Sequence, residues 1–323
     1  MGFADSILEA VRRKKSVVVA GLDPEPKRFP PDLRDNWDEE LYRRLWAGEP
    51  RLFPSEYRKS RRTDYHRTIE FCCRIVEQVK GAAVAVKPQV AFFERTGTLW
   101  ALHKIARFAK SQGLLVILDA KRADIGSTAE AYAEAYLGDT GLGRYIDAIT
   151  VNPYLGRDAV EPFLRRAREA GKGVFVLVRT SNPSAAELQD QPLATGQPVF
   201  EAVAEMVGEW GADACGESGY SNVGAVVGAT APEQLARVRQ MLPHRWILVP
   251  GYGAQGAGPL DVVAGFDQNS AGLLVNASRS ILYAWENHRE GDPEGVRYAE
   301  WARVAAEEMR GAINKAKPRG TQR

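Results

Sequence analysis

Val116 to Thr128 reads V-I-L-D-A-K-R-A-D-I-G-S-T, and the fold follows from how this stretch changes character. An apolar run gives way to Asp119, Lys121 and Asp124, and then Gly126 and Ser127-x-x-Glu130 carry the signature of a helix start. A buried strand thus ends in a charged loop. Alternate strand side chains share a face, which puts Ile117, Asp119 and Lys121 on one side and Val116, Leu118 and Ala120 on the other, against helices. Three ionisable groups at one strand end cost desolvation unless they pair with one another or with a ligand. The plainest reading of D-x-K-x-x-D is an ion-pair cluster tying a strand end to its neighbours; a binding site is the other.

Working outward, similar apolar runs recur: Val17 to Leu22, Ala82 to Lys87, Leu114 to Ala120, Ala148 to Val151, Gly173 to Val178, Val223 to Gly228, Trp246 to Val249 and Gly272 to Asn276. Amphipathic stretches such as Thr68 to Val79, Leu99 to Ser111, Ala159 to Ala170 and Pro232 to Met241 alternate with them. Short buried strands separated by helices imply parallel βαβ units. Eight of them predict an α/β fold, a (β/α)8 barrel, in one domain over residues 1–323. Pattern alone does not prove closure, and a doubly wound sheet has the same rhythm.

A barrel requires its chemically useful side chains at the C-terminal strand ends. The runs end in Gly21-Leu22-Asp23-Pro24, Val86-Lys87-Pro88, Asp119 to Asp124, Arg179-Thr180-Ser181-Asn182 and Asn276-Ala277-Ser278-Arg279. Lys87 shares a face with Ala83 and Ala85 and is expected at the same mouth as Asp119 and Lys121. After the seventh run, Gly251-Tyr-Gly253-Ala-Gln-Gly256 fits G-x-G-x-x-G. No strong helical pattern and no acid about 20 residues on support a dinucleotide fingerprint. A phosphate loop suits it better, because barrels commonly hold phosphate between the loops after strands seven and eight. Arg279 supplies the bidentate cation for that site.

Composition excludes several classes. The 323 residues carry 43 Lys plus Arg against 41 Asp plus Glu, a formal charge of +2, which argues for neither a nucleic-acid nor a membrane partner. The three cysteines, Cys72, Cys73 and Cys215, lack disulfide-framework or zinc spacing and suggest a reducing cytoplasm. His66, His103, His244 and His288 are scattered, so no metal site is expected. No run approaches the ~18 apolar residues of a membrane span, and the loose lipidation pattern at Gly2 and Ser6 is read instead as the start of a helix to about Arg13. Residues 25–62 are too long for an ordinary βα loop and are read as an insertion covering the barrel, although their interleaved aromatics and arginines also fit a nucleic-acid surface. Pro183 to Phe200 is a second long loop, a candidate lid. A helix over about Pro293 to Lys315 precedes a polar tail, 316–323, expected to fray.

The motif Asp119 to Thr128 resembles the D-x-K-x-x-D-I-x-x-T signature of the orotidine 5'-phosphate decarboxylase family. G-L-D-P at Asp23, V-K-P at Lys87, T-S-N-P at Ser181, V-P-G-Y-G-A-Q-G over Gly251 to Gly256 and N-A-S-R at Arg279 follow in the family's order. The similarity runs from Gly21 to about Ile281, and the two long insertions are similar to the family's larger (type 2) subgroup. The resemblance implies decarboxylation of orotidine 5'-phosphate in pyrimidine synthesis, without a cofactor, by a homodimer with shared sites. It also implies roles: Lys121 as proton donor within an array of Lys87, Asp119 and Asp124; Asp23 and Lys87 on ribose; Ser181 on the pyrimidine; the Gly253 loop, Gln255 and Arg279 on phosphate; Asp124 and Thr128 in the partner's site. The proline and aromatics around Lys87, and Tyr252, depart from the family pattern. Two other readings share these features, a related phosphosugar-barrel lyase or synthase such as a hexulose-phosphate synthase, which requires a metal, and a non-catalytic nucleotide-binding barrel.

Overall fold

The computed structural model describes residues 1–35 and 64–317. Most of the expected 25–62 insertion and almost all of the expected frayed tail lie outside the described residues. Eight strands, β1 (Val18–Leu22), β2 (Ala83–Pro88), β3 (Leu115–Arg122), β4 (Ala148–Val151), β5 (Gly173–Arg179), β6 (Ser221–Val227), β7 (Arg245–Val249) and β8 (Leu273–Ala277), pair in parallel in chain order. β8 returns to β1, with Val19 opposite Asn276, so the sheet is a closed barrel and not an open doubly wound sheet. β1, β2, β4 and β8 are buried throughout. That is why their sequences read as apolar runs and not as an alternation.

Helices Asp64–Val79, Leu99–Ser111, Gly126–Leu137, Arg157–Ala170, Val199–Trp210, Pro232–Met241 and Tyr298–Ala316 surround the strands. Each buries one stripe; in Asp64–Val79 the stripe includes Ile69, Phe71, Ile75 and Val76. Phe71 stacks on Phe29, Tyr283 and Tyr298 at centroid distances of 4.5, 5.8 and 5.3 Å. This aromatic cluster joins the last helix to the first barrel helix, each ring burial worth about 1.5–3 kcal/mol. The N-terminal helix, Phe3–Lys14, starts earlier than its sequence pattern suggests, because Phe3 packs edge-on against Phe175 at 5.7 Å and Asn222 accepts the Ala4 N–H at 2.8 Å. It thereby covers the N-terminal end of the barrel. The last helix begins later than expected, at Tyr298, since the Asp292 carboxylate takes the N–H groups of Val296 and Arg297 and terminates the preceding loop.

The long loop after β5 has internal order. Pro183–Glu187 forms a 3-10 turn and Pro192 bridges Pro198. Arg179 grips Asp190 through Nε and Nη2 at 2.8 and 2.9 Å, and Gln189 accepts the Thr180 N–H at 2.7 Å, so the middle of the loop is fastened to the strand it leaves. Among the described residues, no helix is long and apolar enough to cross a membrane.

Candidate active site

A cavity of about 400 Å³ opens at the C-terminal ends of the strands. Its polar centre is Asp119, buried at the end of β3. Lys87, projecting from β2, places Nζ 2.5 Å from Asp119 Oδ2; Lys121 places Nζ 2.6 Å from Asp119 Oδ1. The two lysines differ in access. The Lys87 side chain is 5% exposed and that of Lys121 43%, so Lys121 is the one able to exchange a proton with solvent.

Plain strand alternation does not deliver Lys121 to this position. The β3–β4 register slips between Leu118 and Arg122, and Lys121 adopts φ of 47°, a left-handed conformation costing roughly 1–2 kcal/mol for a side chain with a Cβ. Thr150 of β4 holds the slip. Its hydroxyl accepts the Ala120 and Lys121 N–H groups at 3.1 and 3.0 Å and donates to Asp119 Oδ1 at 3.1 Å. Thr150 belongs to none of the motifs quoted above; the lone hydroxyl in the apolar run A-I-T-V is the sequence signal that marks it.

Charge settles the ionisation of the group. Burial acts to raise the Asp119 pKa, but Lys87 and Lys121 outweigh it and hold the carboxyl far below the usual range. Burial acts to lower the Lys87 pKa, yet Asp119 and Asp23 together shift it upward. Asp23, just beyond β1, goes the other way from Asp119: burial raises its pKa, and Lys87 and the Ser278 hydroxyl offset this only in part.

Ser181, Gln255 and Arg279 line the opposite side of the cavity with Tyr252 and Asn182. Gly251, at φ of 101°, makes this possible, because a Cβ there would lie 2.9 Å from Gln255 Oε1 and 3.3 Å from the Ser181 Cβ. Arg279 begins a short helix, Arg279–Leu282, and its Nη2 donates to the Ala254 carbonyl at 3.2 Å, tying the β8 end to the β7 loop. Gly253 is placed differently from the others. Its N–H is taken by the Ala257 carbonyl at 2.8 Å, and it is not among the residues lining the cavity.

Asp124 and Thr128 also lie outside this chain's own cavity lining. Asp124 Oδ1 accepts the Ile125 N–H at 2.8 Å, and Thr128 is exposed on the Gly126–Leu137 helix. The expected Ser127-x-x-Glu130 capping box does not form. The N-cap is Ile125, without a side-chain hydrogen bond, which leaves Ser127 inside the first turn and Glu130 paired with Arg165 across the next helix. The cavity floor is split: Leu177, Val226 and Leu248 are apolar, whereas Asn276, Lys87, Asp119 and Thr150 are polar. Among the described residues, no three His, Cys, Asp or Glu side chains gather where they could hold a metal ion.

A model of the Orotidine 5'-phosphate decarboxylase / HUMPS family matches residues 62–291. A protein of Rhodopirellula baltica named orotidine 5'-phosphate decarboxylase is 44% identical over 289 residues, covering 88% of this chain and 89% of that one. One of the same name from Caldicellulosiruptor saccharolyticus is 40% identical over 324 residues, covering 98% and 99%. The solved structure of Leishmania donovani OMP decarboxylase superposes with a TM-score of 0.71 at 33% identity, covering 98% of this chain and 99% of that one.

Proposed function

Because the chain belongs to the orotidine 5'-phosphate decarboxylase / HUMPS family, we propose that it converts orotidine 5'-phosphate to uridine 5'-phosphate and carbon dioxide in pyrimidine nucleotide synthesis. The observation that carries this reading is the buried Lys87–Asp119–Lys121 array facing Gln255 and Arg279 across one cavity. The likeness to decarboxylases along nearly the whole chain supports this over a metal-requiring phosphosugar synthase.

The bond from C6 to the carboxyl group breaks heterolytically. Carbon dioxide leaves, and the electron pair stays on C6 in an orbital the ring cannot delocalise. A fixed ammonium beside C6 stabilises that charge as it develops. Lys121 takes this role, held by Asp119, and then transfers an Nζ proton to C6; solvent restores the proton. Asp23 and Lys87 take ribose hydroxyls, Ser181 the pyrimidine edge, and Gln255 and Arg279 the phosphate. Phosphate binding free energy then holds loops over the reacting ring and emerges as rate.

The placement of Asp124 and Thr128 outside their own cavity supports a shared site in a cytoplasmic homodimer, each chain forming one barrel domain. Loss of orotate-ring absorbance on mixing protein with orotidine 5'-phosphate is the direct test; unchanged absorbance overturns the reading. For the shared site, inactive Lys121→Ala and Asp124→Ala chains are co-refolded. Random pairing makes about half the dimers mixed, each with one intact site, so activity should return to about a quarter of wild type. No recovery after confirmed subunit exchange puts Asp124 to work within its own chain.

A further inference from the structure

Asn276 lies at the inward face of β8, 5% exposed, with its side chain in the cavity lining. Its Oδ1 has no hydrogen-bond partner within the protein among the described residues. Other polar side chains on the inner strands find partners within the protein. Thr150 bonds Asp119, and the Ser221 hydroxyl donates to the Gly211 carbonyl and accepts the Val223 N–H. Of the residues that line the cavity, two have a buried side-chain atom without a partner, Asn276 Oδ1 and Asp23 Oδ1. They come from neighbouring strands, for Asn276 pairs with Val19 and Asp23 follows β1 directly.

Two acceptors converging on one wall call for a ligand group that donates. A phosphate is acceptor-only and is disfavoured beside a carboxylate; a sugar hydroxyl donates and fits. Position agrees with chemistry. The wall formed by β8, β1 and β2 lies between Arg279 at the rim and the Lys87–Asp119 pair, while Ser181 stands across the cavity on the β5 side. We propose that Asn276 is a further substrate-binding residue, accepting a hydrogen bond from a ribose hydroxyl beside Asp23. This rests on the nucleotide reading above and extends it by one residue.

Calorimetric titration of wild type, Asn276→Ala and Asn276→Leu with uridine 5'-phosphate and its 2'-deoxy and 3'-deoxy forms tests it independently of turnover. Removing one neutral hydrogen bond should weaken binding of uridine 5'-phosphate roughly five- to tenfold. The deoxy form lacking the hydroxyl that Asn276 takes should bind wild type and Asn276→Ala alike. Asn276→Leu should also raise the melting temperature, because it replaces an unsatisfied buried amide with an apolar group of similar size. A purely structural asparagine would give equal losses on all three ligands, and that result overturns the proposal. Differential binding without decarboxylation by wild type would sustain Asn276 as a ribose contact and overturn the decarboxylase reading alone.

Discussion

Among the buried cations of the described residues, Arg239 and Lys87 lie at opposite ends of the barrel, and the protein treats them in opposite ways. Arg239, near the N-terminal ends of β7 and β8, donates to the carbonyls of Gly265, Leu242, Arg245 and Gly272 at 2.8, 2.7, 2.9 and 2.6 Å. Burial pushes its pKa down to about 10, with Asp267 only partly countering. Lys87, at the C-terminal mouth, is paired with carboxylates instead, and its pKa rises. At the bottom, backbone dipoles satisfy the charge, and those dipoles are fixed once the loops fold. At the mouth, the charge depends on side chains that also face a ligand cavity. The first arrangement secures structure; the second is suited to chemistry.

The sharpest test of this division is Lys121→Ala. Turnover should fall by about 10⁴-fold or more, at the upper end of what one positioned proton donor contributes together with its charge. The melting temperature should hardly move, since the side chain is half exposed. Retention of a tenth of wild-type turnover would exclude Lys121 as donor. Arg239→Met should act in the reverse sense. Losing four hydrogen bonds from a buried guanidinium to backbone carbonyls should destabilise by roughly 3–5 kcal/mol in denaturant titrations, while folded enzyme keeps its KM and turnover at low temperature. A catalytic defect in the folded fraction would break the comparison.

Arg279→Ala removes a charge-assisted contact worth about 1.5–3 kcal/mol. Parallel assays should show kcat/KM falling on orotidine 5'-phosphate but not on orotidine, which lacks the phosphate; equal losses would point to a folding role. The smallest effects concern pH. Asp119 has a folded pKa below its unfolded value of about 3.9, so its stabilisation is present above that pH and is lost as pH falls through the folded value. Asp119→Asn should therefore flatten the acid limb of the stability curve. Asp23, with a raised pKa, has the opposite sign: its cost appears as pH rises above the ordinary carboxylate range. Asp23→Asn should be more stable than wild type at pH 7 by urea titration, at the expense of activity. A less stable Asp23→Asn would mean that Asp23 is structurally paired after all.

Local physics made much of this protein legible in its sequence. Helices Leu99–Ser111 and Pro232–Met241 have the bounds their periodicity implies, and the strands fall within two residues of the apolar runs, because burial of a face imposes a period along the chain itself. Strand-end position was enough to bring Asp23, Lys87 and Asp119 to one mouth. Tertiary structure decided the rest. Closure needs β8 to meet β1 across the whole chain. The slip that turns Lys121 is made by Thr150, 29 residues on, and the loop behind Asp23 is held by the Tyr283 hydroxyl, which donates to the Asp23 carbonyl at 3.0 Å and accepts the Glu25 N–H at 2.7 Å. The Gly253 N–H bonds the Ala257 carbonyl, and the Asn276 Oδ1 is left without a partner among the described residues, neither of which the sequence shows. A hydrogen bond's partner is set by proximity in space, and proximity between residues far apart in the chain leaves no period in the sequence to read.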